Sequence, residues 1–220
     1  MQNTVNLIGF YGGDKEHSIS AWTSTTRDYE LKKDKMPNLL KMLADNGHET
    51  PFEKSTLHFL VNTDIATHAH LLKHRIGVSI NAESARYKEL KEDKFYLPED
   101  WKGVKASNPS LQIVNGKVVN DWYELLELAN QIQNAFYHES LKDLTPVLGR
   151  KRAKESARFF KTYNSQIQAD ISFNFRSFVH FQKLRNKPEA QVEVRELAEE
   201  MLRLVKRLPE FEHSLKAFNL

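Results

Sequence analysis

The chain has 220 residues, 40% hydrophobic and 28% charged, with 13 Phe and 7 Tyr, enough apolar side chain to bury a core and too much for a disordered segment. It contains no cysteine, so disulfides, thiolate metal sites, cysteine-held iron–sulfur clusters and a cysteine nucleophile are excluded. A net charge of +3 suits an anionic ligand such as a nucleotide and is too small to mark a dedicated DNA-binding surface.

Val5 to Phe10 reads as a short buried strand closed by Gly12-Gly13. Asp14 is placed to cap a helix running through His17, Ile19 and Ala21 towards Ser24. A second helix spans Met36 to Asn46. Pro37 fits its first turn, Leu39, Leu40 and Leu43 supply an apolar face, and Gly47 stops it. Thr56 to Asn62 is a strand, and Asp64 then caps a helix that runs from Ile65 towards Arg75. Arg75 to Pro98 is polar and reads as a long irregular loop, a kind of segment that in compact domains is functional or disordered.

Two short apolar runs then flank Asn115-Gly116, a favoured hairpin turn because both of its central residues need positive φ. Asp121 to Leu144 is a long amphipathic helix with Trp122, Leu125, Leu126, Ala129, Ile132 and Phe136 on one face. Pro146 to Phe160 is a further helix, strongly basic. Tyr163 to Phe173 alternates as a half-exposed strand, with Ile167, Ala169, Ile171 and Phe173 on one side. Phe175 to Leu184 is a short helix. Pro188 opens the last one, whose Val192, Val194, Leu197, Ala198, Met201 and Val205 turn to the core. The order of elements is α+β, helix-rich, in one domain over residues 1–220. No run approaches the roughly 20 apolar residues of a membrane span. The first residues lack a basic stretch followed by a long apolar run, so the chain reads as cytoplasmic.

Three clusters concentrate chemistry. The first is Gly47-His48-Glu49-Thr50-Pro51-Phe52-Glu53. The second is Lys73-His74-Arg75, followed by Ser79, Asn81, Glu83, Ser84, Arg86 and Tyr87. Basic residues at a helix end match the helix dipole, which is their plain structural use. A loop of hydroxyls, an amide and a guanidinium beside them also presents donors to phosphate oxygens, and Arg does so in a planar fork. The third cluster is Asn174, Arg176, His180 and Arg185. Arg176 and His180 share a helix face, four apart, and Asn174 fits an N-cap. His68, His70 and His74 lie on one helix, but no carboxylate completes an H-E-x-x-H pattern, so no metal is expected.

In chain order, these blocks resemble the flavin-dependent thymidylate synthase family. Its signature R-H-R-x-x-S-x-N-E-x-S-x-R-Y is approached by His74-Arg75, Ser79, Asn81, Ser84, Arg86 and Tyr87. Its G-H-x-[ST]-P-F-E is matched by Gly47 to Glu53. Its N-x-R-S-x-x-x-F-x-x-L-R, followed by A-Q-x-E, is matched by Asn174 to Arg185 and then Ala190 to Glu193.

The resemblance implies a helix-rich α+β domain with a central, mainly antiparallel sheet. It implies reductive methylation of dUMP to dTMP, with methylenetetrahydrofolate as carbon donor and NADPH-reduced FAD as hydride carrier. The absence of cysteine agrees, since a flavin route needs no thiolate on the pyrimidine ring. By matched position, FAD would meet Ser24, Thr50, Glu53, Lys73, His74, Arg75, Asn81, Asn174, Arg176 and His180. The nucleotide would meet His70, Ser84, Ala85, Arg86 and Arg185, with Arg158 supplied by another subunit of a homotetramer. His48, Glu83 and Arg185 would be the catalytic side chains, Arg185 stabilising charge on the uracil. Nucleic acid and membrane are not expected partners.

The chain also departs from the family pattern. The first Arg of the signature is Lys73, one residue is added between Arg75 and Ser79, and the Asn-Glu pair is Asn81-Ala82 with a carboxylate at Glu83. His70 stands for a nucleotide-contacting Gln, His180 for an Asn, and Glu189 for a flavin-contacting His. The displaced Glu83 and His70 leave open a second reaction on the same fold, flavin-dependent hydroxymethylation of a pyrimidine deoxynucleotide. A nucleic-acid module built on Lys151, Arg152, Lys154 and Arg158 is the reading from another class, and a solvated charged face explains those residues better.

Overall fold

The computed structural model describes residues 2–25, 29–107, 113–114, 117–119 and 121–220. The chain forms two compact units. One comprises Thr4–Asn62, Ala69–Asn81 and Ala169–Leu220, and the other Met1–Asn3, Thr63–His68 and Ala82–Gln168.

The first unit carries most of a four-stranded, mainly antiparallel sheet of order β1-β2-β6-β3, built from β1 (Thr4–Tyr11), β2 (Thr56–Asp64), β3 (Val78–Ala82) and β6 (Gln166–Asn174). β1 pairs antiparallel with β2, Val5 opposite Val61 and Leu7 opposite Phe59. Alternation decides which face is covered. Leu57, Phe59 and Val61 of β2 and Ala169, Ile171 and Phe173 of β6 are buried, as period two requires. The helices α1 (Asp14–Trp22), α2 (Met36–Asp45), α6 (Phe175–Arg185), α7 (Val192–Val205) and α8 (Glu212–Ala217) complete this unit.

The core of this unit is aromatic. Phe59 stacks on Phe178 at 6.0 Å between centroids, Phe175 on Phe211 at 5.4 Å, and Phe52 meets Phe218 edge-on at 4.8 Å. Burying a side chain of this size contributes about 1.5–3 kcal/mol each. Phe175, Phe178 and Phe181 therefore fix the rotation of α6, and its opposite stripe, Arg176, His180 and Leu184, is left exposed. Two buried polar groups complete the core. His17 sits between Ser55 Oγ at 2.7 Å and Ser214 Oγ at 2.8 Å, and burial pushes its pKa down to about 3. Asp14 does not cap α1, whose N-cap is Gly13. Its carboxylate instead accepts from the backbone N–H groups of His213 (2.7 Å) and Ser214 (2.8 Å) at the start of α8, so a long-range partner displaces the local one.

The helix α3 (Ile65–Leu71) is capped as the sequence predicts: Asp64 Oδ1 accepts from Thr67 N at 2.8 Å. The helix stops at Leu71, short of Arg75, where His74 N turns back to Leu71 O at 3.1 Å, and Gly77 at φ 63 then leads the chain into β3. Thus the segment read as an irregular loop contains a strand. The paired runs β4 (Ile113–Val114) and β5 (Lys117–Val118) are antiparallel, while the predicted turn, Asn115-Gly116, lies outside the described residues.

The long helix α4 (Trp122–Leu148) begins as expected, with Asp121 accepting from Glu124 N at 2.9 Å. Its buried face is Leu125, Leu128, Asn130, Asn134, Tyr137 and Leu141, whereas Trp122 and Phe136 are exposed. Pro146 does not start a new helix. It sits in the last turn of α4, and the break comes at Gly149, φ 75, before α5 (Arg150–Ala157). Ala153 and Ala157 pack with Tyr137 and Leu141 in one buried cluster. Likewise α7 begins at Val192, not Pro188, and Val192 is exposed while Val194, Leu197, Ala198, Met201 and Val205 are buried.

Candidate active site

The N-terminus of α6 and the turn after α3 are pressed together. Asn174 caps α6 by accepting from Ser177 N at 2.8 Å, and its own N–H donates to Gly77 O at 2.9 Å. Ser177 Oγ donates to Ile76 O at 2.7 Å. A Cβ on Gly77 would lie 2.3 Å from Asn174 Nδ2 and 2.4 Å from Ser177 Oγ, so only glycine fits there. This turn carries Lys73, His74 and Arg75. The three side chains, with Arg176, His180, Leu184 and Arg185 of α6 and Glu49, line one cavity of 420 Å³. That volume lies within the range of about 300–1,000 Å³ common to small-molecule sites.

The charges in this cavity are not equivalent. Arg176 is already matched: its Nε donates to Glu49 Oε2 at 2.9 Å and its Nη1 to Glu53 Oε1 at 2.6 Å. Those hydrogen bonds hold the guanidinium more firmly protonated than usual. By contrast Lys73, Arg75 and Arg185 make no ion pair among the described residues. Three cations without an ion-pair partner around one cavity favour an anionic occupant, and they outnumber the one carboxylate left over where Glu49 and Glu53 share Arg176.

His74 lies at the base of this group, 9% exposed. Its ring meets Phe181 edge-on at 5.0 Å and His180 at 6.3 Å. Burial first, then Arg185 and His180, hold its pKa down to about 4. Arg185 Nε donates to His74 Nε2 at 3.1 Å. An imidazole nitrogen that accepts carries no hydrogen, so the ring is neutral with its proton on Nδ1.

The structure thus brings together Lys73, His74, Arg75, Arg176, His180 and Arg185, with Glu53 bonded to Arg176 and Asn174 capping the helix beneath. His48 and Thr50 are exposed just before and at the start of the short turn Thr50–Glu53, Ser24 is exposed after α1, Asn81 is exposed on β3, and His70 is half-buried on α3. None of these five lines the cavity. Glu49 was missed as a site residue. It occupies the variable position of the first block, and its signal was a carboxylate four residues before Glu53 on a segment rich in family residues.

The remaining expected residues belong to the second unit. Glu83 is committed: Lys88 Nζ lies 2.7 Å from its Oε1, and Gln168 N donates to Oε2 at 3.4 Å. Ser84 accepts from Arg86 N at 3.3 Å, Arg86 Nε donates to Glu155 Oε1 at 3.3 Å, and Ala85 lies between them in the same turn. The basic helix α5 secures this turn. Lys154 Nζ donates to Tyr87 O at 2.8 Å and Arg150 Nη2 to Glu89 Oε2 at 3.0 Å. Arg152 Nη1 lies 3.5 Å from Glu155 Oε2 on the same helix. Arg158 is exposed on the turn Arg158–Phe160 that follows α5.

Residues 7–210 match the thymidylate synthase complementing protein family. The chain belongs to it. Two relatives are flavin-dependent thymidylate synthases. That of Thermosipho melanesiensis is 34% identical over 206 residues, covering 92% of this chain and 85% of the relative. That of Streptomyces avermitilis is 30% identical over 193 residues, covering 84% and 76%. Among solved structures, the UMP/dUMP methylase PolB from Streptomyces cacaoi, bound with 5-Br UMP, aligns with a TM-score of 0.72 at 24% identity, covering 99% of this chain and 94% of that one. This family member therefore shares the fold of a methylase acting on pyrimidine nucleotides. No helix among the described residues is long and apolar enough to cross a membrane.

Proposed function

We propose that this chain is a flavin-dependent thymidylate synthase that converts dUMP to dTMP. Methylenetetrahydrofolate would supply the carbon and NADPH the reducing equivalents, giving dTMP, tetrahydrofolate and NADP⁺. The observation that carries this reading is the cluster of Lys73, Arg75 and Arg185, three cations without an ion-pair partner lining one cavity in a member of this family. Such a donor set fits the phosphates of FAD and of a nucleotide. Bound there, reduced FAD would supply the hydride that completes the methyl group.

The chain's own residues have separable tasks in this reading. Lys73 and Arg75 hold phosphate, and His180 lines the wall beside them. Arg185 opposes the negative charge that gathers on the pyrimidine ring, an effect that is largest where water is excluded. His48, exposed beside the family's first block, serves the folate side. Arg176 keeps the mouth in shape by tying Glu49 and Glu53 to α6. Ser84, Ala85 and Arg86 bind the nucleotide, and Glu83 holds their turn through Lys88. With no cysteine in the chain, the pyrimidine cannot be activated by an enzyme thiolate.

We place residues 1–220 in one domain of this type, acting in the cytoplasm as a homotetramer in which the exposed Arg158 serves a neighbour's site. The test is direct. Purified protein should bind FAD with flavin absorbance and, given methylenetetrahydrofolate and NADPH, convert dUMP to a product with the mass of dTMP. UMP should be run beside it. A hydroxymethylated product would replace the reaction, and protein that binds no flavin and leaves dUMP unchanged would overturn the reading.

A further inference from the structure

We propose that His74 is a positioning residue for Arg185: its imidazole Nε2 accepts the Arg185 Nε–H and so fixes the plane of the guanidinium that lines the cavity. This deepens the reading above, on which it rests for the task of Arg185, and moves His74 from the flavin side of the site to the substrate side.

A guanidinium has five N–H donors in one plane. Spending Nε on His74 leaves both terminal nitrogens, with four donors, for a ligand. Arg185 lies in the last turn of α6 and has no carboxylate partner among the described residues, so His74 is what orients it. His74 is itself fixed in place by its backbone and by packing. Its backbone N–H donates to Leu71 O at 3.1 Å, Phe181 packs against its ring, and it is nearly buried. The arrangement works only with a neutral ring, because an imidazolium has no lone pair to offer and would repel the guanidinium. Burial together with the Arg185 and His180 neighbours keeps the ring neutral at physiological pH. His74 has no need to touch the reacting atoms: its contribution passes through the arginine.

The test compares His74→Leu, which removes the acceptor, with His74→Gln, whose oxygen reaches to the place of Nε2, and His74→Asn, whose oxygen falls short. Each is measured for kcat and KM with dUMP, for dUMP affinity by calorimetry and for FAD affinity by flavin fluorescence, alone and in an Arg185→Ala background. His74→Leu should lose about tenfold to a hundredfold in kcat/KM with FAD affinity within about twofold. His74→Gln should recover most of the loss. In the Arg185→Ala background His74→Leu should add almost nothing, because the two residues act as a unit. If His74→Leu does not fold, the contrast between Gln and Asn carries the same comparison. Additive losses, or FAD affinity falling in step with turnover, would overturn the proposal while leaving the assigned function standing. Wild-type protein that binds neither FAD nor dUMP would overturn both.

Discussion

Gly77 and Asn174 meet so closely that one added carbon on the glycine would overlap the amide of the helix cap, at 2.3 Å. Gly77 also sits at φ 63, where L side chains are strained. It lies in the stretch where this chain carries one residue more than the family signature. Its left-handed turn brings the segment carrying Arg75 against the start of α6, where Asn174 N donates to Gly77 O at 2.9 Å. We expect Gly77→Ala to destabilise the protein by roughly 1–3 kcal/mol or more and to weaken FAD binding as well. Urea unfolding decides this, and a midpoint unchanged from wild type refutes it.

Arg75 and Lys73 are expected to differ although both are unpaired cations of the same cavity. A planar fork can grip two phosphate oxygens, and an ammonium acts as a point charge. Arg75→Ala should weaken FAD binding by about tenfold or more, and Lys73→Ala by less, with both effects shrinking as salt rises. Fluorescence titration at two ionic strengths measures it. Equal affinities for wild type and Arg75→Ala would remove Arg75 from the site.

His17 makes stability depend on pH. Burial holds its folded pKa near 3, below the 6.5 of a free imidazole. Between those values the unfolded chain binds a proton that the folded chain refuses, so stability is full above about pH 6.5 and falls as pH drops towards 3. The slope from this one group reaches at most about 1.4 kcal/mol per pH unit. Denaturant unfolding at pH 7, 6 and 5 should show the decline, and it should be shallower in His17→Asn. Parallel curves for the two proteins would rule His17 out as the cause.

Glu83 carries a carboxylate that Lys88 and the Gln168 amide already engage. Partly exposed pairs of this kind are worth about 0–1 kcal/mol. Glu83→Gln should therefore shift KM for dUMP by no more than about threefold and leave FAD affinity alone. A collapse of kcat in this variant would restore Glu83 to the chemistry.

The fold was legible where local rules suffice. α2, β2 and α6 appear where Pro37, Gly47, β-forming residues and the Asn174 cap place them, and β6 where alternation does, whereas β1, expected to be buried, buries only Val5 and leaves Ile8 and Phe10 exposed. The site was legible where its residues are neighbours in sequence, as in Lys73-His74-Arg75. It was illegible where polar side chains find distant partners. The face of α4 was misjudged because Asn130, Asn134 and Tyr137 are buried through bonds to Thr162, Lys161 and Leu90, which no periodicity in the helix reveals. β3 was missed because Val78-Ser79-Ile80-Asn81-Ala82 is short and polar on one side, with no fully buried residue. Nor did the sequence announce that Arg176 spends its charge on Glu49 and Glu53.

That three-membered bond constrains how the chain can change. Removing either glutamate leaves one guanidinium with one carboxylate, still a matched pair. Removing the arginine leaves two carboxylates four residues apart with no cation between them, one of them lining the cavity. The losses are therefore unequal, and the order in which they are tolerated runs one way. A lineage can part with a glutamate first and keep a matched pair, while losing the arginine first passes through an ancestor with two uncompensated carboxylates beside the cavity.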